Sequence, residues 1–215
     1  MEMQHILKFL TRVGNLKDIE RKGVAFYGVC PDSATDHTFR MAVMAWLFGS
    51  GRKLNTEKAL KMALIHDLCK VFTGDITPYD GLLPENKKER DEFVRKWRRL
   101  SLKEKTKRHN DKRRKEYRGF RKLVSKLPQG LRKEMLSLWT DYHEQKSPEA
   151  RLMFQLDMAE NLIEAFEWCQ RHKGFPTRPW WEHADEVIHD PVLLEFLEEI
   201  SRQELKIKEA RQKRR

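Results

Sequence analysis

Ala63-Leu64-Ile65-His66-Asp67-Leu68-Cys69-Lys70-Val71-Phe72-Thr73-Gly74-Asp75 sets a histidine and an aspartate side by side inside an otherwise apolar helical pattern. An imidazole and a carboxylate buried among Leu, Ile and Val need a compensating partner, and a metal cation is the obvious candidate. The dipeptide alone does not decide the matter. His189-Asp190 repeats it, but Pro191 and a Leu-rich run follow, so there Asp190 reads as an N-cap with proline at the first helical position.

Outward from this stretch the chain reads as helix after helix. Asn55 caps a helix expected to run unbroken to about Phe72, with Gly74 as its stop. Before it, Ser33-Ala34-Thr35-Asp36 has capping-box spacing, His37 falls in the first turn, and Met41, Met44, Ala45 and Phe48 continue to Gly49 and Gly51. Gly23, Gly28 and Pro31 make residues 18–32 a loop, while Ile6, Leu10, Val13 and Leu16 predict an amphipathic helix over 3–17. Downstream, Pro78, Gly81 and Pro84 mark an irregular stretch. Phe93, Trp97 and Leu100, then Tyr117, Phe120, Val124 and Leu127, give two apolar faces and hence two helices. Leu131, Met135, Leu138 and Tyr142 mark another. Ser147-Pro148-Glu149 starts the next, whose core stripe is Leu152, Leu156, Ala159, Ile163 and Phe166. Residues 175–189 read as loop or short helix. Asp190-Pro191 opens the last helix, whose basic end at 206–215 lacks an apolar face beyond Ile207 and is expected to fray. With no alternating strand pattern and no repeat, the fold reads as all-α, in one domain over 1–215.

Composition narrows the class. The 215 residues are 39% hydrophobic, enough for one sizeable helical core. No run reaches membrane-span length, no signal-peptide pattern opens the chain, and Cys30, Cys69 and Cys169 have no zinc or disulfide spacing. A soluble cytoplasmic protein is expected. The net charge of +11 is local: residues 86–122 hold 18 of the 44 Lys/Arg and 6 of the 33 Asp/Glu, so that segment carries +12 and the rest −1. This basic helical insertion implies either an anionic partner, such as nucleic acid contacted without sequence preference, or a solvated face.

Asp157 is the second oddity, an acid within the apolar run Leu152 to Met158. Three helices thus each set a histidine or carboxylate beside an apolar face: His37, His66-Asp67 and Asp157. Two imidazoles and two carboxylates without a thiolate suit one divalent ion among Mn, Co, Fe, Ni, Mg and Zn, and do not resemble a closed structural zinc site. Four protein ligands around a six-coordinate ion leave room for water and substrate.

His37…His66-Asp67…Asp157 resembles the H…HD…D signature of the HD-domain metal-dependent phosphohydrolases. Arg21, Gly23, Pro31-Asp32-Ser33, Asp36-His37, Gly74-Asp75-Ile76, Gln155-Leu156-Asp157 and Glu160 are similar to the 5′-deoxynucleotidase branch over roughly residues 5–90 and 120–200. The resemblance implies an HD-type helical bundle, a homodimer, and release of phosphate from nucleoside 5′-monophosphates with a divalent metal. It implies His37, His66, Asp67 and Asp157 as metal ligands, Arg21 on the substrate phosphate, and Asp75 on the sugar side. Catalysis would fall to Asp67, Lys70 and Asp75. Two positions depart from that branch: Lys70 stands where it has Glu, and Val24 stands at the substrate position where it has Trp. Lys70 at the substrate matches other HD branches, which together with the basic segment raises a phosphodiesterase acting on a cyclic or oligonucleotide. The other alternative is a non-catalytic scaffold that binds nucleic acid through 86–122.

Overall fold

The computed structural model describes residues 2–213 apart from 78–79, 83, 85, 87–88, 90–91 and 93–100. Among the described residues no strand forms, and the all-α expectation holds. The elements are α1 (Met3–Gly14), a 3-10 turn (Asn15–Asp18), α2 (Lys22–Ala25), α3 (Ala34–Gly49), α4 (Thr56–Ile65), α5 (Lys70–Thr73), α6 (Leu102–Val124), α7 (Gln129–Glu144), α8 (Pro148–Arg171), α9 (Arg178–Val187) and α10 (Pro191–Lys213).

Four capping signals form as read. Ser33 Oγ accepts from the Asp36 N–H while Asp36 accepts from the Ser33 N–H, Asn55 caps Lys58, Ser147 caps Ala150, and Asp190 accepts from Val192 and Leu193. α8 is the hub, packing against α3, α4, α7, α9 and α10. Its Met153, Leu156 and Leu162 are fully buried, and burial of each such side chain contributes about 1.5–3 kcal/mol. A second core joins α1, α6 and α7 to the α4–α5 junction through Leu16, Leu68, Phe120, Val124 and Trp139. The three cysteines are free thiols.

The helix expected to run unbroken from Asn55 to Phe72 is interrupted at the decisive stretch. α4 stops at Ile65 and α5 restarts at Lys70. Across the break the ladder tightens: Leu68 N–H reaches Ile65 O and Lys70 N–H reaches Asp67 O. The His66 carbonyl instead accepts the Trp139 indole N–H at 3.2 Å. The break depends on a tryptophan seventy-odd residues away, which helical periodicity does not register. Trp139→Phe is expected to lower stability by about 1–2 kcal/mol, read in urea denaturation, by leaving that carbonyl only the weak Cys69 thiol donor at 3.8 Å.

Other corrections are smaller. On α1, Leu10 is exposed, and Phe9 joins Ile6, Val13 and Leu16 on the packed face. The loop at 18–32 contains α2 and an isolated antiparallel bridge between Glu20 and Ser33. Leu131 is exposed rather than packed. The last helix continues through Lys213, where the basic end was expected to fray from 206, with Arg211 donating to the Gln170 carbonyl.

Phe93, Trp97 and Leu100 lie outside the described residues. The second helix of the basic segment, α6, starts on a Ser101–Glu104 capping box. Its C-terminal half belongs to the core, with Phe120 stacked on Trp139. At Gly119 an added Cβ would lie 3.3 Å from the Cys69 carbonyl and 3.4 Å from Phe72 Cβ. α6 therefore rests on the backbone of the His66–Thr73 stretch.

Candidate metal centre

Each side chain of the centre comes from the end or first turn of a helix, or from α8. His37 is in the first turn of α3, His66 and Asp67 are in the turn after α4, and Asp157 is in mid-α8. His37 and His66 are both buried. Their Nε2 atoms stand 3.1 Å apart. Asp157 Oδ1 is 3.4 Å from His37 Nε2, and Asp67 Oδ2 is 3.7 Å from His37 Nε2 and 3.6 Å from His66 Nε2. The ligand atoms of His37, His66 and Asp157 all lie within 4.8 Å of one another.

The polar partners on the far side of each ring fix what the near side presents. His66 Nδ1 donates to the Ala63 carbonyl at 2.7 Å, and His37 Nδ1 donates to Glu160 at 2.5 Å. Both Nε2 atoms thus carry lone pairs toward the centre, facing two carboxylates. Such a set is composed of acceptors alone, and a cation is what it fits. Burial, then Arg21, keeps the His37 imidazole below its ordinary pKa and hence neutral, as a ligand must be.

The carboxylates are held ionised. Burial would raise the Asp67 carboxyl, but Lys70, His66 and His37 outweigh it and bring it well below the usual range. Asp157 is lowered in the same way against burial by His37 and His66, while Tyr142 Oη donates to its Oδ2 at 2.8 Å and Asn161 Nδ2 to its Oδ1 at 3.0 Å. The Lys70 ammonium sits 2.7 Å from both Asp67 Oδ2 and Asp75 Oδ1. The Lys22 N–H supplies a further bond to Asp75 Oδ2 at 2.9 Å. Against burial, Lys70 and that N–H bring Asp75 down to about 2.

Arg21 is buried beside the centre, not in it. The bridge at Glu20–Ser33 holds its backbone, with Arg21 N–H on the Asp32 carbonyl. Its Nε donates to Glu164 at 3.0 Å and its Nη2 to Asn161 at 2.5 Å, with Glu160 3.5 Å away. Burial pushes Glu164 up to about 7, against the pull of Arg21. Val24 takes no part in this cluster: it is buried with Ala165, Trp168 and Phe175, a correction to its expected place at the substrate. An aliphatic side chain in a pocket of aromatic neighbours is more stable packed than wet.

Tyr142, Asn161, Glu164 and the anchoring role of Glu160 escaped the sequence reading. A signal for most of them was present. Asp157, Glu160, Asn161 and Glu164 recur at three, four and seven residues, a polar stripe on one face of a helix that is otherwise core.

Residues 13–178 match the HD domain family model. The human 5′-deoxynucleotidase HDDC2 is 30% identical over 197 residues, covering 91% of this chain and 84% of its own. The mouse protein of the same name is 34% identical over 164 residues, covering 76% and 69%. Among solved structures, a conserved hypothetical protein from Pyrococcus furiosus superposes with a TM-score of 0.65 at 22% identity, covering 91% of this chain and 99% of its own, which speaks for the fold. All the residues that build the acceptor-only centre lie inside the matched 13–178 stretch, and this chain belongs to the HD-domain family.

Proposed function

We propose that this protein is a divalent-metal-dependent phosphohydrolase that releases phosphate from nucleoside 5′-monophosphates, deoxyribonucleotides included. The observation that carries the reading is that His37, His66 and Asp157 offer ligand atoms all within 4.8 Å of one another, with Asp67 Oδ2 3.6–3.7 Å from both imidazole Nε2 atoms. The names of the human and mouse relatives supply the reaction and substrate class. His37, His66, Asp67 and Asp157 would hold the metal, which would supply Lewis-acid polarisation of a phosphate oxygen.

The chain's own residues do the rest. Glu160 and the Ala63 carbonyl fix the imidazole tautomers, and Tyr142 and Asn161 orient Asp157. Arg21 stands beside the centre with Nε on Glu164 and Nη2 on Asn161, and would have to exchange one of these partners to meet the substrate phosphate. Lys70 keeps Asp67 and Asp75 charged and immobile. Because its ammonium is taken up by those two carboxylates, it gives no support to a phosphodiesterase reading.

A homodimer accords with the face of α3 that carries exposed Phe39, Val43, Trp46 and Leu47, an apolar surface suited to a second copy. A single domain accords with the packing of α6 into the core. A reducing, cytoplasmic location accords with three unpaired cysteines, and no helix among the described residues is long and apolar enough to cross a membrane.

The test is phosphate release from a panel of ribo- and deoxyribonucleoside 5′-monophosphates with Mn, Co or Mg. Activity is expected to vanish after chelation and to return when a single divalent metal is restored. No turnover of any member by protein shown to be metal-loaded would end the proposal.

A further inference from the structure

Two concavities lie outside the metal centre and share a wall. One, of about 600 Å³, is bounded by α5 and α6 and lined by Lys115, Arg118 and Lys122 opposite Phe72, Thr73 and Ile76. The other, of about 560 Å³, is bounded by α1 and the end of α6, where Lys8, Arg12 and Lys126 join Lys122 and Phe72. Phe72 and Lys122 line both, so the two adjoin along one grooved face.

The six cations are solvent-exposed, and none pairs with a carboxylate among the described residues. Lys115, Arg118, Lys122 and Lys126 recur at three, four and four residues, placing them along one side of α6 and the turn beyond it. Among the described residues the only carboxylate lining either concavity is Asp80, which turns to Lys22 at 3.3 Å. Elsewhere on α6, Arg113 pairs with Glu144 at 2.9 Å and Arg114 with Asp111. The groove keeps its charge open among the described residues.

We propose that this groove binds single-stranded nucleic acid through its phosphates, without reading bases. A row of unpaired Lys and Arg supplies counter-charges at intervals a phosphodiester chain can match. A concavity of this size admits a flexible single strand and not a rigid duplex. The aromatic floor is closed to stacking, because Arg12 lies 5.2 Å and Lys122 4.7 Å from the Phe72 ring centroid. Bases that find no aromatic face contribute little discrimination. The groove differs from a simple reading of the 86–122 charge run, since half of its cations come from α1 and from beyond residue 122.

Binding of a fluorescein-labelled 20-mer of oligo-dT by the full chain, followed by anisotropy across a salt series, tests this. Six phosphate contacts on a single strand give a slope of log K against log salt of about −4. Lys115→Glu/Arg118→Glu/Lys122→Glu is expected to weaken binding at least tenfold at low salt and to reduce the slope by about 2. Lys8→Glu/Arg12→Glu, made separately on α1, is expected to weaken it as well. Neither variant touches the metal centre, so retained phosphate release and an unchanged melting temperature report that each is folded. Oligo-dA is expected to bind within about threefold of oligo-dT, and Asp67→Ala to bind as the parent does. Absence of binding at low salt, unaltered binding by both charge-reversed variants, or equal binding of poly-glutamate would overturn the proposal.

Discussion

Asp67→Ala is expected to lower phosphate release from nucleoside 5′-monophosphates by about a thousandfold or more, equivalent to about 4 kcal/mol of lost transition-state stabilisation. Asp67 Oδ2 is the atom placed within 3.7 Å of both imidazole Nε2 atoms and 2.7 Å from the Lys70 ammonium. Its removal takes one carboxylate from the centre and leaves Lys70 with one carboxylate partner in place of two. Lys70 retains Asp75 as a partner at 2.7 Å, so the variant keeps a paired ammonium and is expected to fold. Phosphate release, metal content and a melting curve on the same preparation separate lost chemistry from lost structure. A rate near that of the parent would remove Asp67 from the centre.

Glu160→Ala is expected to be the most destabilising single change near the site, by about 3–5 kcal/mol, with metal affinity weaker by about 10–100-fold. Glu160 is 1% exposed and serves three groups at once: His37 Nδ1 at 2.5 Å, Arg21 Nη2 at 3.5 Å and Arg40 Nη1 at 3.7 Å. Without it, His37 is free to turn its donor toward the centre, and buried guanidinium charge is left underbalanced. Glu160→Gln retains an acceptor for His37 and is expected to fall between the two. The pH dependence has a defined sign. His37, Arg21 and Arg40 hold the Glu160 carboxyl below its ordinary pKa in spite of burial. Its stabilising contribution is therefore present above the unfolded carboxylate value and lost as pH falls through the folded one, so parent and variant should converge in acid. Urea denaturation at neutral and acid pH, with a metal titration, would show it. Equal stability of parent and variant at neutral pH would refute the anchoring role.

Local signals carried much of this protein. Ser33, Asn55, Ser147 and Asp190 start helices because a side-chain oxygen three residues ahead of an orphan N–H is a short-range affair. The four candidate ligands were also legible as candidates, since ionisable groups in apolar runs stand out against their neighbours. What stayed hidden depends on contacts between distant segments. The break after Ile65 follows from Trp139, the packing of Val24 follows from Trp168 and Phe175, and the anchoring of Asp157 follows from Tyr142. Lys70 was visible as a departure, but its pairing with Asp75 required the turn at Gly74, whose φ of 64° brings the chain back on itself.

The close approach at Gly119 has an evolutionary and engineering consequence. Where α6 meets the Cys69 carbonyl a methyl group would lie 3.3 Å from that oxygen, close enough that the neighbouring backbone would have to give by a few tenths of an ångström, so the helix is seated by contact. The seat divides α6 into two parts with different freedom to vary. Beyond it, Phe120, Leu123 and Val124 are committed to the core. Ahead of it, exposed residues of α6 such as Lys103 and Lys107 can change charge without disturbing the histidines and aspartates.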